Sequence, residues 1–406
     1  MADPSAWHQG CGNPPHQDLP AGALPSRRAV LRTGTFGGAA LVSLRALGHS
    51  GREPAATAAT GAKAGPTRGY GFNRGWLFGG VYVSGSELPG YDDSGFADVT
   101  LPHTVTPLSW GDWDYTAWEK VWIYRKHFEG SAVSGGRVFV DFDAVMTNAA
   151  VVLNGVTVAA HEGGYLPWSA ELTSHLVAGH NVLAVIVDAR LLDVPPDNPL
   201  RGTGYTDYLQ PGGIYRDVTL RVVPDVFITD VFAKPVNVLS STRSVEVQVT
   251  IDAASVPRGP VQVTAELLDG CQGIAAATAT ATIRATGTTV ARLTITGLGD
   301  VALWSPDTPR LYTMKTTLSD TGGPPHTLQV TTGFREAVFK LDGFYLNGKR
   351  LEIFGLNRHQ LFPYLGMAAP ARLQRRDAEI LKNELNCNMV RCSHYPQSPH
   401  FLDACD

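Results

Sequence analysis

Cysteines at CxxC spacing are missing from this sequence. Its five cysteines, Cys11, Cys271, Cys387, Cys392 and Cys405, are scattered, odd in number and without a CxxC pair. That pattern indicates neither a zinc site nor a disulfide framework, so most are expected to be plain core residues. A membrane-spanning run is lacking too. The apolar stretch at residues 33–44 is about twelve residues, too short to cross a hydrocarbon core of about 30 Å as a helix. An excess of charge of one sign is also absent: 33 basic and 37 acidic residues leave a net charge of −4. Neither a nucleic-acid surface nor an anionic membrane is an expected partner, and a neutral substrate fits better. Charged residues are 17% and hydrophobic residues 44% of the chain, a balance that favours folded cores over disorder. With 406 residues there is room for two or three domains.

The N-terminal stretch is an address rather than a domain. Arg27 and Arg28 sit in the string SRRAVLR, which runs into the apolar segment and then into Ala56-Thr57-Ala58, a small-residue cleavage candidate. Paired arginines, a short apolar run and an AxA site in that order predict a twin-arginine export signal and a secreted or periplasmic protein. The Ala, Thr and Gly of residues 55–65 then form a linker, so residues 1–66 are set aside from the folded part.

From Trp76 onward the chain consists of short, partly alternating runs bounded by Gly, Pro, Asn or Asp. Residues 99–101, 121–125, 138–142, 150–153, 182–187 and 218–222 are the clearest. Such spacing predicts an antiparallel sandwich over residues 67–224 rather than βαβ units. Asn154-Gly155 between two runs predicts a type I′ hairpin, because both residues tolerate positive φ. Residues 245–250, 261–264, 290–295 and 312–316 alternate likewise and predict a second, immunoglobulin-like sandwich over 225–337. Trp304 is expected to anchor its core, in a Pro-rich segment that is extended and averse to helix.

After residue 337 the texture changes. Residues 351–356 form a short apolar run expected to be a buried strand. Residues 370–386 follow with Leu373, Ile380, Leu381 and Leu385 at helical spacing and Pro370 near the start, then a second short strand at 388–392 and another helix from Ser398. Strand, helix, strand, helix predicts the first two units of a (β/α)8 barrel over residues 338–406. Barrel enzymes work at the C-terminal ends of their strands. There this chain carries Asn357, Arg358, His359 and Gln360 after one strand and Arg391, Ser393, His394 and Tyr395 after the next.

Six strings in order resemble the sugar-binding jelly-roll domain of glycoside hydrolase family 2: FNRGWLFGG, LPHT, WIYRKHF, VVLNG, EGGYLPW and GGIYRDV. LWSP with the following Pro and LY resembles the family's second domain, and FGLNRHQ and VRCSHYP resemble its catalytic barrel. The resemblance implies a retaining, β-galactosidase-like glycosidase, with Asp207, Arg358, His359, Arg391 and His394 as substrate-binding residues. Asp207 would reach across to the sugar. Arg358 would order the pocket floor, His359 and His394 would donate to hydroxyls, and Arg391 would hold the nucleophile ionised. Retaining glycosidases need two carboxyl groups about 5–5.5 Å apart. The family's two glutamates lie on later barrel strands, beyond Asp406, so the chain as given is expected to be the front of a longer protein and inactive by itself. Some relatives carry Mg2+ or Na+ near the site, but no carboxylate cluster here has metal-ligand spacing, and no cofactor is expected. The sugar, the linkage and the oligomeric state stay open. A competing function is a secreted carbohydrate-binding protein without catalysis. A third, an adhesion protein of tandem sandwiches, leaves the Arg and His residues at the strand ends without a role.

Overall fold

The structure is a computed structural model that describes residues 68–108, 111, 114–130, 136–190 and 208–406. The export signal, the linker and Asp207 lie outside the described residues.

The first sandwich uses β1 (Arg68–Gly71), β2 (Trp76–Val81), β3 (Ala97–Val99), β4 (Val121–Gly130), β5 (Gly136–Phe142), β6 (Asn148–Leu153), β7 (Val156–His161), β8 (Trp168–Glu171), β9 (Gly179–Asp188) and β10 (Val218–Pro224). A sheet of order β3-β2-β4-β9-β6-β7 packs on one of order β1-β10-β5-β8. Trp76, Tyr124, Val151 and Leu183 from the first sheet share a core with Val140, Phe142 and Leu220 from the second. Each such side chain contributes about 1.5–3 kcal/mol relative to exposure, and this burial is what holds the jelly roll together. Asn154 and Gly155 take φ of 52° and 84°, the positive values a type I′ hairpin between β6 and β7 requires.

The second sandwich has seven strands: β11 (Val226–Val236), β12 (Ser244–Ala253), β13 (Val261–Asp269), β14 (Gln272–Ala281), β15 (Gly287–Ile295), β16 (Tyr312–Ser319) and β17 (His326–Thr332). They form sheets of order β11-β12-β15 and β14-β13-β16-β17. Val245, Val247, Val249 and Ile251 of β12 and Val261, Val263, Ala265 and Leu267 of β13 all point into one core. With a side-chain period of two, a slip of one residue would turn every one of them to solvent, and this fixes the register.

The two sandwiches meet around Phe139 and Phe227, whose ring centroids are 5.7 Å apart. The guanidinium of Arg221 lies 5.1 and 5.5 Å from the two rings. That of Arg137 also lies over both and ion-pairs with Glu171 of the first sandwich and Asp252 of the second. His326 sits beside them, only 2% exposed, and its Nδ1 accepts the backbone N–H of Ile228 at 3.1 Å.

Three short strands, β18 (Ala337–Lys340), β19 (Gly343–Leu346) and β20 (Lys349–Arg350), lead into the last region. There β21 (Gly355–Arg358) and β22 (Met389–Cys392) pair in parallel, with Asn357 opposite Arg391 and Arg358 opposite Cys392. Helices α1 (Ala371–Glu379) and α2 (Pro399–Cys405) pack beside each other. Parallel strands joined through a helix are the opening of a (β/α)8 barrel. Gly355 is needed where the strands approach: a Cβ there would lie 2.3 Å from the Met389 carbonyl oxygen. Among the described residues no helix is long and apolar enough to cross a membrane.

Several expectations need correction. The run 351–356 is not a buried strand: the strand begins at Gly355, and Phe354 and Leu356 are 61% and 49% exposed. Two parallel strands have no sheet neighbours of their own to cover both faces. The helix expected over 370–386 is α-helical only to Glu379 and continues as a π-turn, Ile380–Glu384. It buries Gln374 and Ala378, while Leu385 is exposed, because its inner face serves a polar network around Arg358. Trp304 is not a core residue. It is half-buried, donates its indole N–H to the carbonyl of Asp406 and lies under the Arg335 guanidinium at 4.9 Å. Of the four described cysteines only Cys387 is buried, so most are not core residues.

Candidate functional site

Alternation along the parallel pair sorts the residues singled out from the sequence. Asn357 and Arg391 share one face, and Arg358 and Cys392 share the other, which looks toward the helices. Beyond the strand ends the chain brings His359 and His394 together, with ring centroids 5.3 Å apart and planes at 79°. Arg391 Nη1 donates to Ser393 Oγ at 2.8 Å and to His394 Nδ1 at 3.1 Å. A guanidinium has no acceptor, so His394 Nδ1 must offer its lone pair there and the ring proton sits on Nε2. His394 is thereby set up as an exposed N–H donor.

Arg358 is placed elsewhere. It is 5% exposed and donates from Nε and Nη2 to Asp377 Oδ2 at 3.0 and 2.8 Å. Nη2 also reaches Gln374 Oε1 at 2.7 Å, Nη1 reaches Gln397, and the guanidinium lies 4.0 Å from the centre of the Phe401 ring. Arg358 ties β21 to both helices and so holds the place of a positioning residue. Asp207 lies outside the described residues.

Three groups from the jelly roll complete the site, and the sequence reading did not single them out. Tyr208, which follows Asp207, sets its ring 5.8 Å from His359, 5.9 Å from His394 and 5.3 Å from Tyr395. Tyr165 stacks on Tyr395 at 4.7 Å with planes 13° apart, and its hydroxyl accepts from Gln210 Nε2 at 2.9 Å. Arg216 donates to the Tyr165 carbonyl at 3.1 Å and to the Pro396 carbonyl at 2.6 Å, binding jelly roll and barrel to one another at the rim. Tyr165 and Arg216 lie inside the strings EGGYLPW and GGIYRDV, so a signal was present. It gave no hint that the two strings meet a strand end nearly two hundred residues away.

Tyr395 is 4% exposed and its hydroxyl accepts the Gln360 backbone N–H at 3.0 Å. Burial pushes its phenol up to about 12 against the opposing pull of that bond, and burial holds Tyr165 far above the ordinary phenol range. Both therefore present neutral rings and hydroxyls at any working pH. None of Asn357, His359, Arg391, Ser393, His394 and Tyr395 is a carboxylic acid, so this arrangement can donate hydrogen bonds but cannot attack or protonate as a carboxyl pair would. Among the described residues no three His, Cys, Asp or Glu side chains come together to hold a metal ion.

Fold and site define a multidomain protein in which a jelly roll lends aromatic loops to the mouth of a parallel β/α unit. Descriptions of one family match the sequence in the same order. "Glycosyl hydrolases family 2, sugar binding domain" covers residues 81–224. "Glycosyl hydrolases family 2" covers 226–335, and "Glycosyl hydrolases family 2, TIM barrel domain" covers 338–406. The chain belongs to glycoside hydrolase family 2. It is 37% identical over 347 residues to a β-galactosidase of Thermoanaerobacterium thermosulfurigenes, covering 82% of this chain and 46% of that protein. It is 25% identical over 360 residues to a β-glucuronidase of Formosa agariphila, covering 83% and 37%. The crystal structure of a Bacteroides uniformis β-glucuronidase superposes with a TM-score of 0.73 at 27% identity, covering 84% of this chain and 41% of that one. The chain thus spans less than half the length of these relatives.

Proposed function

We propose that this chain forms the sugar-binding half of the active site of a retaining β-glycosidase of the β-galactosidase type, exported by the twin-arginine route. The observation that carries the reading is the parallel β21–β22 pair, which sets His359 and His394 5.3 Å apart beneath Tyr208. His394 Nε2–H and His359 hold sugar hydroxyls, Arg391 fixes the His394 tautomer, and the three tyrosines exclude water from the seat. The carboxylic acid and carboxylate of a retaining mechanism come from other barrel strands. The galactosidase assignment draws on the higher identity to the β-galactosidase than to the β-glucuronidase.

Two experiments test this. The 406 residues alone are expected to bind methyl β-D-galactoside without cleaving nitrophenyl β-galactoside, and His394→Ala is expected to weaken binding about tenfold, the worth of one good hydrogen bond. Encoded product that continues through the rest of a barrel should cleave the galactoside in preference to the glucuronide and mannoside. A continued product that binds but cleaves none of them would favour a carbohydrate-binding protein. For export, replacing Arg27 and Arg28 with lysine should leave a fused reporter inside the cell.

A further inference from the structure

We infer that Tyr208 is the specificity-determining residue of this pocket, the wall against which the C–H face of a galacto-configured pyranose is seated. The inference rests on the reading of the strand-end cluster as a sugar pocket. Tyr208 is half-buried and held on three sides, by His359, His394 and Tyr395 at 5.3–5.9 Å with ring planes inclined at 42–47°. The Tyr395 ring behind it is stacked on Tyr165, whose hydroxyl is fixed by Gln210. The Tyr208 ring is thereby held in place before a ligand arrives, which lowers the ordering cost of binding.

A pyranose offers two chemistries to such a seat. Its rim of hydroxyls needs donors and acceptors, which the two imidazoles supply. Its C–H patches are apolar and weakly electropositive, and they suit the negative face of an aromatic ring. With an axial O4, as in galactose, the hydrogens on C3, C4 and C5 lie together on one side and form an unbroken apolar patch. With an equatorial O4, as in glucose, that patch is interrupted. An aromatic wall held next to two imidazoles thus distinguishes the epimers at C4, and it does so from the jelly-roll domain rather than the barrel. The preference expected from one aromatic contact is about three- to tenfold.

The test uses the 406-residue chain and titrates methyl β-D-galactopyranoside and methyl β-D-glucopyranoside by ligand-observed NMR. Tyr208→Phe should keep both affinity and preference. Tyr208→Leu, which still fills the space between Tyr395 and the imidazoles, should lose about three- to tenfold for the galactoside and bring the ratio of the two sugars close to one. His394→Ala should weaken both sugars and leave the ratio near that of the wild type. An unchanged ratio in Tyr208→Leu alongside weaker binding in His394→Ala would overturn the role of Tyr208 and leave the pocket standing. Wild-type protein that binds neither sugar would overturn the pocket and this inference with it.

Discussion

Arg358→Ala should destabilise the β21–β22 unit by about 3 kcal/mol, the low end of the 3–5 kcal/mol range for breaking a buried ion pair. The side chain is 5% exposed, and its loss strands Gln374 and Gln397, themselves 1% and 2% exposed, together with the carboxylate of Asp377. Asp377 retains 26% side-chain exposure, so water recovers part of its charge, and this sets the figure at the low end. The contact with Phe401 disappears as well. The sandwiches have separate cores, so the loss should be local. Hydrogen exchange should show protection across residues 355–405 falling about a hundredfold while the cores of β12 and β13 are unchanged. Equal protection in mutant and wild type would mean that Arg358 is not the tie between strand and helices. Arg358→Lys should rescue little, since an ammonium cannot serve three separately placed acceptors with the fixed fork of a guanidinium.

The second large effect is an acid limb that belongs to His326. Burial first, and the nearby charge of Arg221 second, push its pKa down to about 4 from an ordinary 6.5. Nδ1 is already committed as acceptor for the Ile228 N–H, so protonation there would also break a buried hydrogen bond. The folded state binds fewer protons than the unfolded chain between those two values. Stability is therefore complete above about pH 6.5 and falls as the pH drops toward 4, by about 3 kcal/mol in all. Denaturant titrations at pH 7.5, 5.5 and 4.5 should show that slope in the wild type. They should show it clearly reduced in His326→Asn, whose carbonyl can still accept from Ile228 without gaining charge, the remainder belonging to His103 and His161, which burial also depresses. The junction at Phe139 and Phe227 should loosen first, because His326 packs edge-on against Phe227 at 5.8 Å. A wild-type slope that persists in the variant would place the acid sensitivity in another group.

The strands of the sandwiches were legible where Val, Ile and Phe alternate, as in 138–142 and 245–250, since period-two burial is a local property. β14 was not, because QGIAAATATA is built of Ala and Thr, whose pattern is faint, and its place is set by pairing with β13. Helical spacing over 370–386 located the helix, which runs as α1 and a π-turn, but not the residues of its inner face. A helix that faces a buried guanidinium buries Gln374 and Ala378 rather than leucine. At the site, His359 and His394 were visible because each follows an apolar strand at a barrel-like interval. That Arg358 faces the helices was not legible, since only the alternation of the parallel pair decides which neighbour of His359 does so. The convergence of Tyr165, Tyr208 and Arg216 on the strand ends was out of reach: it depends on contacts between segments far apart in sequence, and no periodicity records those.

Arg216 carries a consequence for how such proteins can diversify. A single guanidinium clasps the main chain next to Tyr165 and next to Tyr395, the stacked pair that backs the seat. Because it grips carbonyls, it is indifferent to which side chains those loops present. The rim can therefore be recoloured one residue at a time while its alignment is preserved. Transplanting a whole jelly roll onto a foreign barrel should instead fail unless the clasp is carried along.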